Sequence, residues 1–184
     1  MKIEAVLFDM DGLMVDTESL STKALISSAK KQDYEMTKEE TLQVLGFTEA
    51  AIYKFWENYF EDSHVDGKKL ADDHYDYIEE VLFTTGPDKM PNVEELLVYL
   101  KENNYKIAVA SSSNIDHIEN NMKKTRLRKY IDKIASGQEV LNGKPAPDVF
   151  LLAAERLGVK PENCLVLEDS KSGIKAGHAS GATV

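Results

Sequence analysis

Cysteine is nearly absent from this 184-residue chain: Cys164 stands alone. No disulfide framework can form within the chain, and a reducing compartment is the expected setting. Long apolar runs are missing too. None approaches the roughly 20 residues of a membrane span, and Glu4 interrupts the N-terminal stretch too early for a signal peptide. The cytoplasm is therefore the expected location. Cations are in deficit. Lys and Arg number 22 against 32 Asp and Glu, a formal net charge of -10. That balance repels phosphate backbones and argues against nucleic acid as a partner. A small phosphate ester is not excluded, provided that local cations and a metal offset the carboxylates. There is no internal repeat and no low-complexity segment. What is there is a globular composition, 42% apolar and 29% charged. Its length suits one domain, or a core with a modest insertion, able to bury a core without staples.

Residues 3–8 form a short apolar run that stops abruptly at Asp9-Met10-Asp11-Gly12, the texture of a buried strand feeding a loop. From Thr17 to about Thr85 helical spacing takes over. Thr37 and Glu40 have the spacing of a capping box. Ile52, Phe55, Trp56, Tyr59 and Phe60, and then Leu70, Tyr77, Ile78, Val81 and Leu82, recur at intervals of three and four. After a break at 86–91, strand and helix alternate. Strands are expected at 107–110, near 134–135 and at 163–167, and Thr183 and Val184 would open a fifth. Helices are expected to begin near Asn92, after Ser113, at Pro147 and near Ser170. Alternation of this kind implies βαβ units in an α/β protein with a doubly wound parallel sheet. Residues 1–16 and 86–184 then make the core and 17–85 an inserted all-helical cap, with hinges expected at the two crossings, 14–18 and 85–91.

Polar clusters fall at the ends of these strands, where open α/β sheets bind ligands. Asp9 and Asp11 follow the first, Ser111 the second, Lys144 the loop after the third, and Glu168 with Asp169 the fourth. Carboxylates gathered in one place repel one another unless a cation binds. Magnesium is a hard ion suited to carboxylate, water and phosphate oxygen. Beside it, one carboxylate is placed to attack phosphorus and a second, two residues on, to serve as general acid. Lys144 and the Ser111 hydroxyl would hold the transferring phosphoryl oxygens.

Four segments carry a resemblance: Phe8-Asp9-Met10-Asp11-Gly12 running on to Glu18, Val109-Ala110-Ser111-Ser112-Ser113-Asn114, Gly143-Lys144-Pro145-Ala146-Pro147-Asp148, and Leu167-Glu168-Asp169-Ser170 running on to Ile174. In this order the chain resembles the haloacid-dehalogenase-like (HAD) superfamily. It resembles specifically the β-phosphoglucomutase-like phosphatases, which carry a small helical cap on a Rossmann-like core. The resemblance implies Asp9 as nucleophile and metal ligand. It implies Asp11 as general acid/base, with its backbone carbonyl on the metal. Asp169 and Glu168 become metal-holding residues, and Ser111, Ser112 and Lys144 the phosphate-binding set, with Mg2+ as cofactor. Asp11 favours phosphate chemistry over carbon–halogen cleavage, since the dehalogenases lack it. Gly46, at a bend in the cap, becomes a specificity candidate. The family's usual further βα unit, about 30 residues, would lie beyond Val184.

Local readings of the same residues are simpler. An isolated Asp-x-Asp is usually turn chemistry, Ser111 to Asn114 would cap a helix, Lys144 would be a solvated loop lysine, and Glu168 or Asp169 would cap the last helix. The acids between 61 and 76 read as a solvated helix face. His64, His74, His117 and His178 lack ligand-like spacing and are expected on the surface or in the cap. Cys164 reads as a small buried residue rather than a nucleophile. The expected function is a magnesium-dependent phosphatase acting on a small phosphorylated metabolite through an aspartyl-phosphate, as a monomer, with neither nucleic acid nor membrane as partner. Two alternatives are a phosphomutase, weakened by Ser19-Leu20-Ser21 where the mutases have a histidine, and a non-catalytic binding protein.

Overall fold

The computed structural model describes residues 2–184. The chain divides into two compact units, Met1–Asp16 with Gly86–Val184, and Thr17–Thr85. The first unit is built on a parallel sheet of four strands: β1 (Ala5–Phe8), β2 (Lys106–Ser111), β3 (Lys133–Ser136) and β4 (Cys164–Leu167), in the order β3-β2-β1-β4. β1 lies inside the sheet, with Phe8 in register with Val109 on one side and Leu167 on the other. All four of its side chains are buried, as expected of a strand covered on both faces. The expected fifth strand is a single parallel bridge. Thr183 pairs with Leu165, its N–H donating to Cys164 O at 3.0 Å and its carbonyl accepting from Val166 N at 2.7 Å.

Alternation along the strands sorts the core into two layers. Ala5, Leu7, Ala108, Ala110, Ala135, Cys164 and Val166 pack with Val149, Phe150, Ala153 and Leu157 from α7 (Asp148–Leu157) and Ala176 from α8 (Lys171–Ala179). Val6, Phe8, Ile107, Val109 and Ile134 pack on the other face. Their partners are Val93, Leu97 and Leu100 of α5 (Val93–Glu102) and Ile118 and Met122 of α6 (Ile115–Lys124). Helices on both faces make this a doubly wound α/β fold. Pro147 stands just before α7, and Gly158, at φ 64°, ends it in the left-handed conformation that glycine favours. Asn114 caps α6 by accepting from His117 N. α8 is capped by Ser170, which accepts from Gly173 N, rather than by Glu168 or Asp169.

The second unit contains α1 (Thr17–Lys30), α2 (Lys38–Thr41), α3 (Glu49–Tyr59) and α4 (Gly67–Thr84). Thr37 and Glu40 form the expected capping box, and Thr48 and Asp66 cap α3 and α4. Trp56, Ile52 and Phe60 are buried with Leu25, Ala29, Leu70 and Ala71, whereas Tyr59 of the same stripe is exposed. The acidic face of α4 is lined with ion pairs, Lys68 with Asp72 and Lys69 with Asp73, the latter shared with Lys31. His64, His117 and His178 are exposed, but His74 is 1% exposed. It is a core residue of this unit, one ring nitrogen 2.9 Å from Ser21 Oγ and Nδ1 without a partner among the described residues. Among the described residues no helix is long and apolar enough to cross a membrane.

In the first unit, the chain segments that lead to and from the helical one run side by side. Val15 and Lys89 form an antiparallel bridge, Asp16 N donates to Asp88 O, and Met90 N donates to Met14 O.

Candidate active site

The register of the sheet decides which loops meet. Because Phe8 lies opposite Leu167, the residues that follow, Asp9 and Glu168, leave the sheet side by side. Asp9 N donates to Leu167 O at 3.0 Å, fixing the start of the first loop. That loop then turns at Gly12, where φ is 76° and an added Cβ would strike the Asp169 carboxylate. Glycine is needed there both for the left-handed backbone and for the close approach. Lys144 enters from the connection between β3 and α7, across the cis peptide Lys144–Pro145. Its Nζ lies 2.5 Å from Asp9 Oδ1, 2.6 Å from Glu168 Oε1, and 4.9 Å from the centre of the Phe150 ring.

Asp9, Lys144 and Glu168 are nearly closed to solvent, with side-chain exposures of 11%, 6% and 1%. The second oxygen of Glu168 accepts from Ser170 N and Ser170 Oγ, both at 2.9 Å. Gly173 sits directly behind this carboxylate, where any Cβ would overlap it. Asp11 makes no ion pair among the described residues. Its Oδ2 accepts instead from Ser113 Oγ at 3.1 Å and Ser111 Oγ at 3.5 Å. Burial pushes the Asp9 carboxyl up to about 7, against the pull of Lys144 and with repulsion from Glu168 and Asp11 added. Asp11 is also raised, first by burial, and its serine hydrogen bonds oppose the shift. Asp169, the most exposed of the set, is raised by partial desolvation and by the charge of Glu168.

Asp9, Glu168 and Asp169 each offer an oxygen within 4.8 Å of the others. With Asp11 the cluster holds four carboxyl groups, and only Asp9 and Glu168 share the Lys144 ammonium. Oxygen donors and uncompensated negative charge are what a hard divalent cation takes, so these residues fit magnesium. Six of the positions singled out in the sequence are thus brought together: Asp9, Asp11, Ser111, Lys144, Glu168 and Asp169. Ser112 is exposed and makes no hydrogen bond to the group among the described residues. Gly46 lies in the helical unit at φ 77°, between the half-exposed Leu45 and Phe47, and apart from these neighbours no atom of the described residues lies within 4 Å of where a Cβ would stand. Ser113, Ser170 and Gly173 were not singled out as site residues. Ser113 lies with Ser112 in the bend that follows β2, so strand alternation does not point to it, and the fold of that bend brings its hydroxyl to Asp11.

The profile of the haloacid dehalogenase-like hydrolases matches residues 6–184. The chain belongs to this family. A relative from Thermotoga maritima named phosphorylated carbohydrates phosphatase is 33% identical over 189 residues, covering 97% of this chain and 82% of that protein. The crystal structure of a HAD family hydrolase from Deinococcus radiodurans R1, with bound phosphate and sodium, is similar with a TM-score of 0.85 at 26% identity. That match covers 98% of this chain and 79% of that one. β-Phosphoglucomutase from Clostridium difficile is similar with a TM-score of 0.66 at 27% identity, covering 98% and 82% of the two chains. In this HAD hydrolase, then, the parallel sheet is the fold of the family and the cluster at its strand ends is the candidate active site.

Proposed function

We propose that this protein is a phosphatase, a phosphoric monoester hydrolase that removes phosphate from a small phosphorylated metabolite, a phosphorylated sugar foremost, through an aspartyl-phosphate. The observation that carries the reading is Lys144 lodged between Asp9 and Glu168, with Asp11 held apart on serine hydroxyls. One aspartate is kept beside a cation and the other is kept away from it, which suits one to attack and the other to carry a proton. The names of the relatives support the substrate class.

In the first step an Asp9 oxygen forms a bond to phosphorus while the ester P–O bond breaks. Asp11, protonated, gives its proton to the leaving oxygen. In the second step Asp11 takes a proton from water, whose oxygen attacks the phosphorus of the aspartyl-phosphate and regenerates the Asp9 carboxylate. Lys144 and the Ser111 hydroxyl hold the phosphoryl oxygens. Asp9, the Asp11 backbone carbonyl, Glu168 and Asp169 would hold Mg2+, which supplies neutralisation of the carboxylate and phosphoryl charge. Residues 17–85 act as a cap that selects the substrate, with Gly46 in a selecting bend flanked by apolar side chains. A single thiol, buried at Cys164 and pushed up to about 11 by burial, accords with a cytoplasmic enzyme that makes no use of it.

The test is a panel of phosphomonoesters assayed with the purified protein and magnesium, with and without excess chelator. Release of phosphate that stops on chelation is expected. Full turnover in chelator refutes the metal-dependent route, and no turnover across the panel refutes the phosphatase reading. A phosphomutase would use the same cluster, and transfer of the phosphoryl group to a sugar hydroxyl instead of water would identify it in the products.

A further inference from the structure

The contacts of Asp11 set it apart from the other carboxylates of the site. Asp9 and Glu168 share the Lys144 ammonium, and Glu168 is also held by Ser170. Among the described residues the Asp11 carboxyl has only hydroxyl partners, and the shorter of the two bonds comes from Ser113 at 3.1 Å. The Ser111 hydroxyl, at 3.5 Å from Asp11, is itself engaged as acceptor of Ser113 N at 3.0 Å. Ser113 is anchored from behind. Its carbonyl accepts from Ser136 Oγ at 2.7 Å, and Ser136 is fully buried at the end of β3. Ser136 in turn accepts from Gln138 N and donates its own N–H to Glu139, which pairs with both terminal nitrogens of Arg156. A continuous line of hydrogen bonds therefore runs from α7 through the end of β3 to the loop after β2, and ends on the Asp11 carboxyl.

We propose that Ser113 is the positioning residue for Asp11: its hydroxyl holds Oδ2 and leaves Oδ1 to carry the proton to the leaving oxygen. The proposal rests on the reading of Asp11 as general acid. A carboxyl on a short side chain turns freely about its last bond, and general acid catalysis needs the proton within hydrogen-bond reach of the departing oxygen. A hydroxyl that donates to one carboxyl oxygen fixes that rotation without adding charge. Ser113 touches neither the reacting phosphorus nor the attacking oxygen in this scheme, so its removal impairs protonation rather than attack or binding.

Leaving-group dependence separates these effects. Phenyl phosphate expels a basic oxygen that needs a proton, and 2,4-dinitrophenyl phosphate expels one that does not. The quantity to compare is kcat/KM, which reports the steps up to leaving-group departure. Ser113→Ala is expected to lose about tenfold in kcat/KM on phenyl phosphate and less than about twofold on the dinitrophenyl ester. Ser113→Thr, which keeps the hydroxyl, is expected to restore most of the loss. Inhibition by inorganic phosphate should be unchanged in both. Asp11→Asn provides the reference, with the same leaving-group pattern at larger amplitude, and Ser113→Ala should add nothing on that background. An equal loss on both esters, or weakened phosphate inhibition, overturns the positioning role while Asp11→Asn still shows the pattern. If Asp11→Asn itself is indifferent to the leaving group, the acid assignment fails and the role of Ser113 falls with it.

Discussion

Acid should loosen the helical unit through His74. The side chain sits on α4, 1% exposed, with one ring nitrogen on Ser21 of α1, the other without a partner among the described residues, and the Tyr75 ring 4.8 Å away edge-on. Burial lowers its pKa from the ordinary 6.5 to about 4. The folded state thus binds the proton more weakly than the unfolded one. The neutral ring contributes its full stability above 6.5, loses it as the pH falls through the interval, and has none left below 4. At about 1.4 kcal/mol per pH unit, the loss is about 2 kcal/mol by pH 5 and about 3 kcal/mol by pH 4. Trp56 makes the measurement selective. It is the sole tryptophan and is fully buried in the same unit. Urea unfolding of the whole chain, followed by tryptophan fluorescence at several pH values between 7 and 4.5, gives the stability of that unit. His74→Gln keeps a group for Ser21 and has no titration, so the difference in slope between it and the wild type isolates the histidine from the carboxylates. Parallel slopes for the two proteins would refute the reasoning.

Three other outcomes follow from the site. Asp9→Asn should abolish turnover while the melting temperature holds, because the shape stays and the nucleophile goes; near-normal turnover would exclude the covalent route. Lys144→Met leaves Asp9 and Glu168 facing each other with no ammonium between them. It should cost about 100-fold or more in kcat, and about 3 kcal/mol of stability when no magnesium is present, read by denaturation in chelator. Gly173→Ala drives a methyl group into the Glu168 carboxylate. Its apparent magnesium affinity, read from activity against added magnesium, should fall about tenfold or more, with the helical unit's Trp56 signal unchanged. A magnesium titration that overlays the wild type would show that Glu168 does not depend on that close approach.

Much of the core fold was written in local pattern. The short apolar run at 3–8 reads as a covered strand, and its sudden change to Asp9-Met10-Asp11-Gly12 marks where the sheet ends. The 3.6-residue spacing around Trp56 separated the helical unit from the alternating core. Boundaries moved by one or two residues, as with β1 at Ala5–Phe8 and β4 at Cys164–Leu167, because strand limits depend on partners as well as on sequence.

The sequence by itself determined the chemical types at the strand ends and the order in which they occur, since side-chain chemistry and periodicity are properties of the chain alone. Only the tertiary structure decided who meets whom. The parallel register of β1 with β4 sets Asp9 beside Glu168, two residues 159 positions apart in sequence, and a loop from beyond β3 brings Lys144 to both. Side-chain direction in the loop after β2 turned Ser113 rather than Ser112 toward Asp11. Helix packing put His74 inside and left it neutral, although nothing in its neighbours along the chain distinguishes it from the three exposed histidines. Such pairings depend on register and burial, which are set by the whole sheet and the whole core, and no short segment carries them.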